Sequence, residues 1–197
     1  MGWFTRKPRQ RPALDAKARE EAEHRYGRAA FGTAIGLYMR TVDEDRKDPS
    51  DLAFDLPDSR FRFLVMLLST VFKACALEIP EGIDAASSAL KSLAMLSVNE
   101  KQFRFFAGDV TAEEAYESGK VYFIGFTNQW SKIVSAENRD GAGWPEQKRL
   151  LAIMLKAVES ESDLTDADLA RLGPMTLYID GLQPGVREEF RRLLAHP

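Results

Sequence analysis

The sequence predicts an all-α protein, a single-domain orthogonal or bundle-like array of about 6–8 helices around a central apolar helix at residues 60–79. Three observations point there. Apolar residues recur at three- and four-residue spacing through most of the chain, which is the period of a helix face. Breakers such as Pro80 with Gly82, and Gly173 with Pro174, divide that pattern into helix-length pieces. The competing β-rich run, KVYFIGF at 120–126, lies inside a longer helical pattern, and a long window outweighs local propensity.

The central stretch, RFRFLVMLLSTVFKACALEI, is the most apolar in the chain. Phe61, Leu64, Val65, Leu68, Val71, Phe72 and Cys75 form one helix face, and Met66, Ala74, Ala76 and Leu77 fill much of the rest. Arg62, Ser69, Thr70, Lys73 and Glu78 interrupt the run. A charge near a bilayer centre costs at least about 2.5 kcal/mol, so a core helix is expected rather than a membrane span. Asp58 is its expected N-cap.

In chain order, residues 1–12 form a basic arm too polar to pack a core, and 13–197 form the helical domain. The arm reads first as a disordered solubilising tail. It also carries the residues of a peripheral membrane anchor or polyanion contact: Trp3 and Phe4 for the lipid interface, with Arg6, Lys7, Arg9 and Arg11 for anionic groups. Arg6 stands where a myristoylation signal needs Ser or Thr.

A long helix is expected from about Asp15 to Arg40, with a stripe of small and medium residues that includes Ala22, Tyr26, Ala30, Leu37 and Tyr38. Gly32 and Gly36, one turn apart, mark close helix packing against the central helix or a second subunit. Thr41–Asp58 reads as an acidic loop broken by Pro49 and Pro57, without the glycine of a calcium loop. A third helix is expected over 83–96, on Ile83, Ala86, Leu90, Leu93 and Ala94, and Ser97 should cap a short segment whose Phe103, Phe105 and Phe106 form a core corner.

Thr111-Ala-Glu-Glu114 is a capping box. It opens a helix over 112–136 with Ala115, Tyr116, Gly119, Tyr122, Phe123, Phe126, Trp130 and Ile133 on one face. A connector over 137–143 follows, then helices over 145–160, from Thr165 to Gly173, over 175–180 and over 186–194.

Composition and motifs exclude more chemistry than they assign. The net charge of −3 gives no reason to expect a polyanionic or polycationic partner, and the acidic loop opposes nucleic acid. Arg60, Arg62 and Arg104, which alternate with phenylalanines, read as helix-edge cations beside buried rings. One cysteine, Cys75, rules out a disulfide framework and fits a reducing compartment; on the apolar face it should be inert. Glu21-x-x-His24 is a single motif where a carboxylate-bridged metal pair needs two, so no metal is expected. Gly27, Gly32 and Gly36 lack the Walker pattern. No catalytic residue and no cofactor are expected.

The absence of a secretory apolar segment after Trp3 and Phe4 predicts a cytoplasmic protein. The functional expectation is a protein–protein interaction or regulatory module that binds a protein partner, a second copy included, through an aromatic-rich helical surface. The alternatives are a small-molecule binder or helical enzyme with an aromatic pocket, and a peripheral membrane protein held by the arm. Tyr38, Phe106, Tyr122, Phe126 and Trp130 are the candidate pocket or interface residues.

Overall fold

The computed structural model describes residues 15–44, 57–100, 103–106, 108–140 and 183–196. The described residues form five α-helices and no strand: α1 (Ala16–Glu44), α2 (Pro57–Ala74), α3 (Ala85–Asn99), α4 (Ala112–Asp140) and α5 (Gln183–Ala195). The protein is all-α, and residues 120–126 are helical within α4. The expected basic arm, most of the acidic loop, and the helices expected over 145–160, 165–173 and 175–180 lie outside the described residues.

Local chemistry explains where each helix starts and stops. Asp15 caps α1, its Oδ1 accepting from the Ala18 N–H at 2.7 Å. The helix passes Arg40 and continues to Glu44, so the first residues assigned to the acidic loop are helical; no breaker occurs there before Pro49. α2 begins at Pro57, one residue before the expected Asp58 cap. Proline suits a helix's first turn, because its missing N–H would have no partner there.

α2 ends at Ala74, five residues short of the expected Ile79. The Glu78 N–H turns back to the Cys75 carbonyl at 2.9 Å, and Pro80 disfavours helical backbone at Ile79. Gly82 follows at φ +81°, a conformation glycine adopts without steric cost. Leu77, counted toward the apolar circumference of a longer helix, sits in this turn and is 99% exposed.

Asp84 caps α3 by accepting from the Ser87 N–H at 3.1 Å. Ser97 is no cap: it is buried inside α3, with its hydroxyl donating to the Ala94 carbonyl at 2.8 Å. The helix closes only where the Glu100 N–H meets the Leu96 carbonyl. The capping box of α4 forms in both directions, Glu114 N–H to Thr111 Oγ1 at 3.2 Å and Thr111 N–H to Glu114 Oε2 at 2.9 Å. α4 then runs through residues 137–140, the first part of the expected polar, glycine-containing connector.

α1 and α4 lie on opposite sides and do not touch among the described residues; α3 and α2 each bridge them. α5 packs on α1 and α2, and α2 touches all four other helices. Phe61, Phe63 through Val71, Ala74 and Cys75 are all buried as a result. The hydroxyls that interrupt this apolar run are satisfied locally, since Ser69 and Thr70 both donate to the Met66 carbonyl, at 2.8 and 3.0 Å. Among the described residues, α1 packs closely on α3. A Cβ at Gly27 would lie 2.6 Å from Ser88 Cβ and 3.0 Å from the Ala85 carbonyl oxygen.

Candidate functional site

α4 presents two chemically distinct faces. Inward, Ala115, Gly119 and Phe126 are buried, and Tyr116, Tyr122 and Phe123 are half-buried against α2 and α3. Gly119 gives the Phe61 ring its place, since a Cβ there would meet Phe61 Cζ at 3.2 Å and Leu90 Cδ2 at 3.4 Å. Phe123 meets Phe72 edge-on with centroids 5.6 Å apart, and the Arg62 guanidinium lies 4.9 Å over the Tyr122 ring.

Outward, Val121 is 68% exposed and Ile124 is 56% exposed. Gly125 completes the stripe at i, i+3, i+4, and no described atom comes within 4 Å of where its Cβ would be. Glu117 and Asn128 flank it, both exposed. Lys120 borders the face, with Nζ 2.8 Å from Glu117 Oε1 and 5.2 Å from the Tyr116 ring centroid. The hydrogen bond to Glu117 raises the Lys120 pKa above its usual value. A short, low apolar strip with a glycine at one edge is suited to receiving another helix, because nothing projects from the glycine to hold a backbone away.

Among the described residues, those singled out from sequence do not converge on one pocket. Tyr38 packs between Phe63 and Phe105, at 6.2 and 6.1 Å, and burial pushes its hydroxyl pKa up. Phe106 lies 4.7 Å from Phe61, and Phe105 is fully buried, so the three phenylalanines of 103–106 form a core corner. Phe126 is buried in the core. Trp130 lies in α4 with its side chain outside the described residues.

A cavity of about 70 Å³ lies beside Phe106, lined by Ser97, Val98, Arg104, Gly108, Asp109 and Val110. Pockets for small ligands run to roughly 300–1,000 Å³, so this one is water-sized. Gly32 receives a side chain rather than a backbone, since its Cβ position is 3.0 Å from Leu193 Cδ1. Gly36 meets nothing within 4 Å among the described residues; the close backbone approach falls at Gly27. Trp3, Phe4, Arg6, Lys7, Arg9 and Arg11 lie outside the described residues.

One polar contact was not visible in the sequence, because His24 and Ser88 are 64 residues apart. His24 Nδ1 lies 3.3 Å from Ser88 Oγ, and His24 Nε2 lies 3.8 Å from Glu20 Oε1. These are the residue types of a nucleophilic relay. Ser88, however, is buried at the crossing of α3 on α1, with its Oγ 2.6 Å from where a Cβ at Gly27 would stand. The contact is a polar lock between α1 and α3. Cys75 is equally unsuited to nucleophilic work: burial first, then the Glu78 carboxylate, push its thiol up to about 11.

Among the described residues, no cluster of three or more His, Cys, Asp or Glu could hold a metal ion, and no helix is long and apolar enough to cross a membrane. Compared with models of known families, with curated proteins and with solved structures, the chain matches none.

Proposed function

We propose that the protein is a cytoplasmic interaction or regulatory module, a single helical domain arranged around α2, which pairs with a second copy of itself through the outer face of α4. The observation that carries this reading is the exposure of Val121 and Ile124 on a helix whose opposite face, from Ala115 to Phe126, packs against the core. Burying two such side chains, beside a glycine that lets backbones close up, contributes roughly 1.5–3 kcal/mol for each side chain in each protomer before association costs. The small cavity beside Phe106 and the buried Ser88 lend no support to an enzyme or small-molecule reading.

The contact would be isologous, with the same stripe meeting itself across a twofold axis. Light scattering over a concentration series tests it. Self-association should appear in the wild type and disappear in a V121S/I124S variant. A wild-type protein that stays monomeric throughout would overturn the reading.

A further inference from the structure

The outer stripe of α4 ends in different chemistry at its two ends. Glu117, Val121, Ile124 and Asn128 follow one another at intervals of four, three and four residues, which sets them in one line along the helix. All four are exposed, while Ala115, Gly119 and Phe126 on the opposite side are buried. Read along the helix, the line is a carboxylate, two aliphatics and a carboxamide. The carboxylate only accepts hydrogen bonds, whereas the carboxamide also donates.

Charge is uneven in the same sense. Residues 112–120 carry Glu113, Glu114 and Glu117 against Lys120, three carboxylates to one ammonium, a net −2. Lys120 is held by Glu117, at 2.8 and 2.9 Å, and borders the stripe on one side.

Two twofold arrangements bring one such stripe against another. A parallel pair sets each layer against its own copy. Glu117 then faces a second Glu117, and six carboxylates gather with two lysines at one end. Like charges in one layer oppose association. An antiparallel pair centred between Val121 and Ile124 sets Val121 against the partner's Ile124, and Glu117 against the partner's Asn128. It also moves the two acidic ends apart, by eleven residue steps or about 16 Å along the axis.

Given the α4 pairing proposed above, on which this rests, we propose that the two copies run antiparallel, with the Asn128 amide of each donating to the Glu117 carboxylate of the other. Glu117 and Asn128 of one helix are too far apart to meet, so each finds this partner only on the second copy. The two polar layers also fix the register. A slide by one repeat of the stripe would set Val121 against the partner's Glu117, leaving a carboxylate facing an aliphatic side chain.

The test reads the dimer dissociation constant of the full-length chain by light scattering. N128K places an ammonium opposite the partner's Glu117, once at each end, and should tighten the antiparallel pair about fivefold. In a parallel pair the same change sets lysine against lysine and weakens it. Cysteines at these positions give a second readout, with the buried Cys75 left in place. Mixed E117C and N128C chains should form an interchain disulfide under mild oxidation, because the two positions face each other. Neither chain alone should, since its two copies of the cysteine lie about 16 Å apart. Weakening by N128K, or a disulfide formed by E117C alone, would overturn the antiparallel orientation and leave the α4 pairing standing. A wild-type chain that stays monomeric, or an absence of disulfide in all three samples, would overturn both.

Discussion

α2 and α4 are both rich in aromatic and aliphatic residues at helical spacing, yet they use them in opposite ways. α2 touches every other described helix, and the run from Phe63 to Val71 is buried without a break. α4 packs one face on α2 and α3 and turns Val121 and Ile124 to solvent. The difference lies in neighbours rather than in composition. A helix bridged on several sides has no surface left for recognition, whereas one packed on a single side keeps a face for it.

The sharpest way to break this contrast is to remove a ring from the interior. Phe61 is fully buried and touches Phe105, Phe106 and the Gly119 position. Phe61→Ala should lower the unfolding free energy by about 3–5 kcal/mol in a denaturant titration. A loss under 1 kcal/mol would mean that α2 is not packed as described.

Cys75 provides a probe of the same interior that needs no substitution. Its folded thiol titrates near 11, against 9.0 for an ordinary thiol. The folded state therefore holds the proton more tightly, and this contribution is complete below pH 9 and lost as pH rises toward 11. Stability should fall across that window, with the half-buried Tyr38 hydroxyl, also raised, acting in the same direction. The thiol should resist thiol reagents at pH 8 until the chain is unfolded. Rapid labelling of the native protein would contradict a buried Cys75.

Glycine substitutions compare two positions on one helix. Gly27→Ala forces a Cβ to within 2.6 Å of Ser88 and should cost about 1–3 kcal/mol. Gly36→Ala meets no described atom within 4 Å and should gain up to about 1 kcal/mol from helix propensity. Thermal melts of the two variants should move in opposite directions. If both lose stability, the open space at Gly36 is not open.

Much of this architecture is legible in the sequence, for a physical reason. Helical period, the Thr111–Glu114 capping box and the Pro80–Gly82 turn are local signals, and each appears in the fold. What was not legible depends on partners distant in the chain. Gly27, Gly32 and Gly36 look alike in sequence; only α3 and α5, arriving from residues 85–88 and 193, distinguish them. The end of α2 is hidden because the helical spacing continues to Cys75, while the turn beyond it is set by Pro80. The outward placement of Val121 and Ile124 was also hidden. They sit in a β-rich stretch whose pattern does not show which side faces out, and the aromatic candidates Tyr38, Phe106 and Phe126 pack into or against the core instead.

The central claim, that α4 keeps an apolar face for recognition while α2 keeps none, is tested most directly by measuring stability and self-association on one V121S/I124S variant. The account predicts an unfolding free energy within about 0.5 kcal/mol of wild type, as for an exposed position, together with loss of self-association. A stability loss of 2 kcal/mol or more would place these side chains in a core. Unchanged association would show that the face is not the one that binds.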